Sequence, residues 1–142
     1  MTEVEEDPMA QSIRETSIAT TDGVRVEVRC RYLDSQSQPV SRRYVFAYRI
    51  RIQNESNVRV QLLSRRWIIT DANGKVKEIT GAGVVGEQPI IYPGETYTYE
   101  SSAMLETSNG VMRGSYAMHS LSGRTFDAEI APFLLTLPHS LN

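Results

Sequence analysis

The tightest constraint on what this chain can fold into is a strict alternation of apolar and polar side chains. Val24, Val26, Val28, Cys30 and Tyr32 alternate with Arg25, Glu27, Arg29 and Arg31. A period of two sends one set to a core and the other to water, which is the geometry of a β-strand. A second run repeats the pattern: Tyr44, Phe46, Tyr48, Ile50 and Ile52 share one face, with Arg49, Arg51 and Gln53 on the other. No stretch carries a convincing apolar stripe at the helical period of 3.6. Sheet packed on sheet is therefore the expected way to cover these faces.

Turn formers punctuate the runs. "DSQSQPV" (34–40) and "NESN" (54–57) interrupt the alternation. Val58 to Thr70 reads as a third extended segment, and its alternation blurs around "LLSRRWII", which predicts a bulge or burial on both faces. Asn73-Gly74 predicts a type I′ hairpin turn, with Val76 to Thr80 returning from it. Pro93-Gly94 in "YPGET" suits a type II turn. Thr96 to Ser101 alternates with Tyr97 and Tyr99 inward. Gly110 to His119 and Arg124 to Ile130 flank "SLSG", a further hairpin candidate, and "PFLLTLP" (132–138) is expected as a last edge strand. Seven or eight short strands with such spacing predict an all-β, antiparallel sandwich or barrel.

At 142 residues and 40% hydrophobic content the chain suits one globular domain. Glu3, Glu5, Glu6 and Asp7 open it with no basic side chain among the first eleven residues. Burial there is too small to offset ordering entropy, so residues 1–12 are expected to be a mobile acidic tail and 13–142 the single domain. No apolar run reaches 18 residues and no basic-then-apolar leader is present, so membrane insertion is not expected. The lone cysteine, Cys30, forms no internal disulfide, and a reducing, cytoplasmic setting follows.

Residues 81–86, "GAGVVG", spell the G-x-G-x-x-G fingerprint of dinucleotide sites through Gly81, Gly83 and Gly86. That fingerprint works by turning a strand into a helix whose N-terminal amides face the pyrophosphate. Here Pro89 and Pro93 follow, and each would cost a helix interior about 3 kcal/mol. A phosphate loop of the G-x-x-x-x-G-K kind fails too, because Glu87 stands where lysine should be. The expected role is a β-connection whose glycines accept positive φ or close backbone approach. Consecutive amides in such a turn could still form an anion-binding nest.

"VQLLSRRWIITDANGKV", "GAGVVGEQPIIYPGETYTYES" and "GVMRGSYAM" resemble the bacterial ApaG family, in matching order and spacing, from about Ile13 to the end. The resemblance implies a fibronectin type III-like, immunoglobulin-class β-sandwich. It also implies an association with cobalt tolerance and magnesium efflux, and protein recognition by the same domain in eukaryotic proteins. It implies no established catalysis, and a suspicion that the element matching Gly81, Gly83 and Gly86 binds pyrophosphate. Family members commonly carry histidine where Arg66 precedes Trp67 here, so no metal role of that histidine transfers.

Little else suggests chemistry. Cobalt-type metals favour imidazole and thiolate, and His119, His139 and Cys30 lack ligand spacing. His119 reads as a surface residue and Cys30 as a small core hydrophobe. There is no G-x-S-x-G elbow, and Asp127 and Glu129 alternate outward as a solvated face. No catalytic residue, metal or cofactor is expected, and the chain is read as non-enzymatic. From Gly23 to Arg66, ten arginines face three acids. They predict either cross-strand ion pairs or, if gathered in one sheet, a basic patch for an acidic partner, a polyphosphate or RNA. No aromatic stacking platform accompanies them, so nucleic acid is not the expected partner.

The sequence thus predicts a binding module for an unidentified protein partner. The alternative ligand is an anion, pyrophosphate, nucleotide or other phosphate-containing small molecule at the glycine loop. The candidate surfaces are Gly81, Gly83, Gly86, Glu87 and Gln88, and the segment Arg65, Arg66 and Trp67, with Trp67 favoured as a core anchor. Exposed edge strands would permit a homodimer by sheet extension.

Overall fold

The computed structural model describes residues 13–138, so the expected acidic tail and His139 lie outside the described residues. Among the described residues nine strands follow one another: β1 (Thr16–Thr21), β2 (Val24–Tyr32), β3 (Tyr44–Asn54), β4 (Val60–Asp71), β5 (Val76–Ala82), β6 (Ile90–Ile91), β7 (Thr96–Leu105), β8 (Asn109–Ser120) and β9 (Thr125–Thr136). They form two antiparallel sheets. One runs β1-β2-β3-β7; the other runs β5-β4-β8-β9, with β6 also on β4. This is the expected all-β sandwich.

The alternating runs do what their period demands. Val24, Val26, Val28 and Cys30 of β2, and Phe46, Tyr48, Ile50 and Ile52 of β3, are buried against the second sheet. Trp67 sits at the centre, with Tyr48, Phe133 and Tyr116 at ring-centroid distances of 5.3, 5.9 and 6.3 Å. Such edge-on contacts each contribute roughly 0.5–1.5 kcal/mol beyond the area they bury.

Three expectations change. Strand β1 was not foreseen, although Asp22-Gly23 signals it: both residues have positive φ (49° and 81°), closing a two-residue hairpin between β1 and β2. The Asn73-Gly74 turn is not type I′, since only Gly74 has positive φ. The Asp71 carboxylate accepts N–H bonds from Asn73 and Lys75, both at 2.9 Å, and this local cap favours a three-residue loop ending in a left-handed glycine. "PFLLTLP" is not a separate strand but the end of β9. Its Pro132 lies where the β8–β9 register shifts, so the missing N–H interrupts no ladder bond.

One side of the sandwich is shut and the other open. β9 lies along β1, with Glu129 N–H donating to Thr21 Oγ1 (3.0 Å) and Ser17 Oγ–H to the Ala131 carbonyl (2.9 Å). On the opposite side β5, β6 and β7 end their sheets, and there the glycine segment sits.

A glycine-loop cleft at the open edge

Strand β4 changes its facing halfway. Val60 and Leu62 point inward, the register shifts between Leu62 and Ser64, and beyond it Trp67 and Ile69 point inward instead. The bulge expected in "LLSRRWII" is present, and its consequence is chemical. Arg65 shares the parity of Trp67, so an arginine is turned toward the sandwich. Its Nη1–H groups donate to the carbonyls of Ala82 (3.1 Å) and Gly83 (2.9 Å). Among the described residues no carboxylate comes within 4.0 Å of it. At Gly81 a Cβ would lie 2.8 Å from the guanidinium, so the glycine makes room for it.

Strands β5 and β6 pair with the same edge of β4, and residues 83–89 are an excursion between them. Gly83 N–H donates to Leu63 O (2.8 Å) before the chain leaves β4. Val84 and Glu87 exchange backbone bonds of 2.8 and 2.9 Å around Val85 and Gly86, whose φ values are 41° and 83°. That is a tight hairpin of the I′ kind, with a β-branched residue where asparagine or glycine belongs. Val84 is buried, while Val85 stands 57% exposed at the tip. Gly83 also has positive φ, and a Cβ there would meet Glu87 O at 2.2 Å. The glycines therefore serve the β-connection, and extended chain, not helix, follows Gly86. Gln88 fastens the return by donating to Leu63 O (2.8 Å), and Glu87 accepts a hydrogen bond from Tyr97 Oη (2.8 Å).

Between this loop and the facing sheet lies a recess of about 320 Å³, lined by Tyr48, Arg65, Val84, Val85, Tyr99 and Ser101. Behind it the Tyr99 and Tyr116 hydroxyls share a short hydrogen bond. Burial raises the pKa of Tyr48, Tyr99 and Tyr116, and Arg65 pulls each of them partway back. All three phenols stay protonated at neutral pH. The recess thus offers O–H groups and one guanidinium with no countercharge, a setting that suits an anion.

The structure gathers Arg65, Gly81, Gly83, Gly86, Glu87 and Gln88 at one place, and separates the other two candidates from them. Trp67 is only 2% exposed, so it belongs to the core and is removed from the interaction surface. Arg66 points to the opposite face of β4 and pairs with Glu78 at 2.6 Å. Tyr48, Tyr97, Tyr99 and Ser101 join the site although no motif named them as site residues. The inward parity of Tyr97 and Tyr99 was legible, but not their meeting with a loop from the other sheet.

Comparison with known proteins decides the family. The family model described as the ApaG domain matches residues 34–120. The protein ApaG of Vibrio vulnificus strain YJ016 is 51% identical over 119 residues, covering 84% of this chain and 94% of that protein. The chain belongs to the ApaG family. The protein ApaG of Pseudomonas entomophila strain L48 is 48% identical over the same shares of both chains. A crystal structure from Bordetella pertussis superposes with a TM-score of 0.79 at 41% identity, covering 90% of this chain and 99% of that one. The ApaG match spans β3, β4, the glycine loop and β7, so the cleft lies inside the family-defining segment. No helix among the described residues is long and apolar enough to cross a membrane.

Proposed function

We propose that this ApaG domain is a non-enzymatic, cytoplasmic binding module that recognises another protein along its open edge. One observation carries the reading. Of nine exposed large apolar side chains among the described residues, six lie there: Val76, Ile79, Val85, Ile90, Tyr92 and Met104. Apolar exposure beside an unpaired strand edge suits a docking surface. The strained Val85 at its tip fits the same role, because backbone strain persists where a site needs it. The association with cobalt tolerance and magnesium efflux enters as an indirect consequence of partner binding, since buried Cys30 and exposed His119 stand in different sheets. The test is cross-linked capture from the native host with wild type, Val85→Glu and Glu87→Lys. A specific protein held by wild type and lost with the variants is expected. Capture that is irreproducible, or equal for all three, refutes the reading.

A second reading rests on Arg65, a half-buried guanidinium with no carboxylate within 4.0 Å among the described residues: the cleft binds pyrophosphate or a related phosphate-bearing anion. Titration with millimolar pyrophosphate should shift amides confined to residues 81–88, and Arg65→Gln should abolish the effect. Unchanged spectra would remove this reading.

A further inference from the structure

The arginines of β2 and β3 do lie in one sheet, on its outer face, and they divide into two groups. Arg25 and Arg51 are neutralised by Glu27 at 3.0 and 3.2 Å, with Glu55 3.8 Å from Arg25. Arg29, Arg31 and Arg49 are exposed, and among the described residues no carboxylate lies within 4.0 Å of them. Arg29 and Arg49 stand directly opposite each other in the β2–β3 register. Like charges so placed are destabilising. Two adjoining surface depressions of about 300 and 310 Å³ share Thr16, Arg29 and Arg49 as walls. The free guanidiniums thus line a shallow groove across the sheet.

We propose that this groove docks an extended acidic segment of a protein partner. The proposal rests on the reading of the chain as a protein-binding module and adds a face separate from the open edge. Three features select that occupant. Arg29 and Arg31 are two residues apart on one strand, about 6.6–7 Å, which matches carboxylates at alternate positions of an extended chain. Arg49 approaches the same carboxylates from across the ladder at about 5 Å. The positive ground is also short. Glu27 bounds it along β2, and Glu100 faces Arg49 from β7, so a long polyanion running past the three arginines would meet carboxylates. The outward strand positions of this face carry no aromatic ring for base stacking, while Ile18, 58% exposed, offers apolar contact beside the groove.

The experiment is fluorescence anisotropy of a labelled peptide of alternating Glu and Thr with the full chain, at low and at physiological salt. Wild type should bind, more weakly as salt rises. Arg49→Gln should weaken binding about tenfold, the loss of one charge-assisted hydrogen bond, and Arg29→Glu should weaken it further, because the new carboxylate repels the peptide and also engages Arg49. Arg25→Gln and Arg51→Gln should change it by less than about threefold, because those guanidiniums already have partners. Val85→Glu should leave it unchanged, which separates this surface from the open edge. Arg29→Glu replaces a repulsive cross-strand pair by an attractive one, so Tm should hold or rise while binding falls. No binding by wild type, binding by the Arg29 and Arg49 variants as tight as by wild type, or tighter binding of an RNA or polyphosphate of matched charge overturns the proposal. So does peptide binding that appears only once Glu3, Glu5, Glu6 and Asp7 are neutralised, since the chain's own acids would then be the occupant.

Discussion

Replacing Val85 by asparagine should stabilise this protein while weakening its partner contact. Val85 holds a φ of 41° in the first central position of a two-residue hairpin, and Gly86 follows at 83°. Left-handed backbone costs an ordinary L-residue roughly 1–2 kcal/mol, whereas asparagine tolerates it by hydrogen bonding locally. Asn-Gly is also the favoured pair for such a turn. Against this stands the packing of the valine. With 57% of it in water, less than half of the ~1.5 kcal/mol of a fully buried valine is lost. The net gain is about 0.5–1 kcal/mol, or roughly 2–4 °C in Tm for a domain near this size. Calorimetry on wild type and Val85→Asn measures it directly. The same variant removes the apolar tip from the open edge, so cross-linked partner capture should fall as Tm rises. An unchanged or lower Tm would show that the hairpin carries no strain and that Val85 is there for packing alone.

Other outcomes follow from the same contacts. Tyr116→Phe leaves the buried Tyr99 hydroxyl without its partner and should cost about 1–3 kcal/mol in chemical denaturation; a neutral result would mean the hydroxyl finds another hydrogen-bond partner. Gly114→Ala places a Cβ 2.0 Å from the Arg66 carbonyl, backbone against backbone, so a loss of about 3 kcal/mol or more is expected, read from the urea midpoint. Burial pushes the Cys30 thiol from 9.0 up to about 12, so the folded state keeps a proton that the unfolded chain releases. Stability contributed this way is present below pH 9 and declines as pH rises toward 12, by up to about 1.4 kcal/mol per pH unit. Near pH 9, where unfolded tyrosines of pKa about 10 are still mostly protonated, Cys30→Ala should flatten that decline; an identical pH profile would contradict the assignment.

The elements differ in how far their own residues specify them. The inward faces of β2 and β3 were legible, because period-two alternation is a local property and each core-facing set is spelled by its own strand; Val45, buried at the opposite parity, was not. The hairpin at 22–23 carried a readable Asp-Gly signal ahead of the β2 alternation. The glycine segment was legible in a negative sense: Pro89 and Pro93 exclude the helix that a dinucleotide site requires. Its actual form, an I′-type hairpin with valine in a left-handed position, was not, since valine is among the last residues propensity would place there.

Local chemistry, then, set which segments extend, which face of each meets the core, and where the chain turns. Only the assembled sandwich decided that one extra residue near Leu63 swings Arg65 inward among three tyrosines of other strands. It alone decided that β5 and β6 share one edge of β4, and that Glu27 pairs with Arg25 and Arg51 while Arg29 and Arg49 face each other across the ladder. The physical reason is range. Alternation and turn preference act over a few residues, whereas a cleft or a charge pattern depends on strand order and register, fixed by burial across the whole molecule.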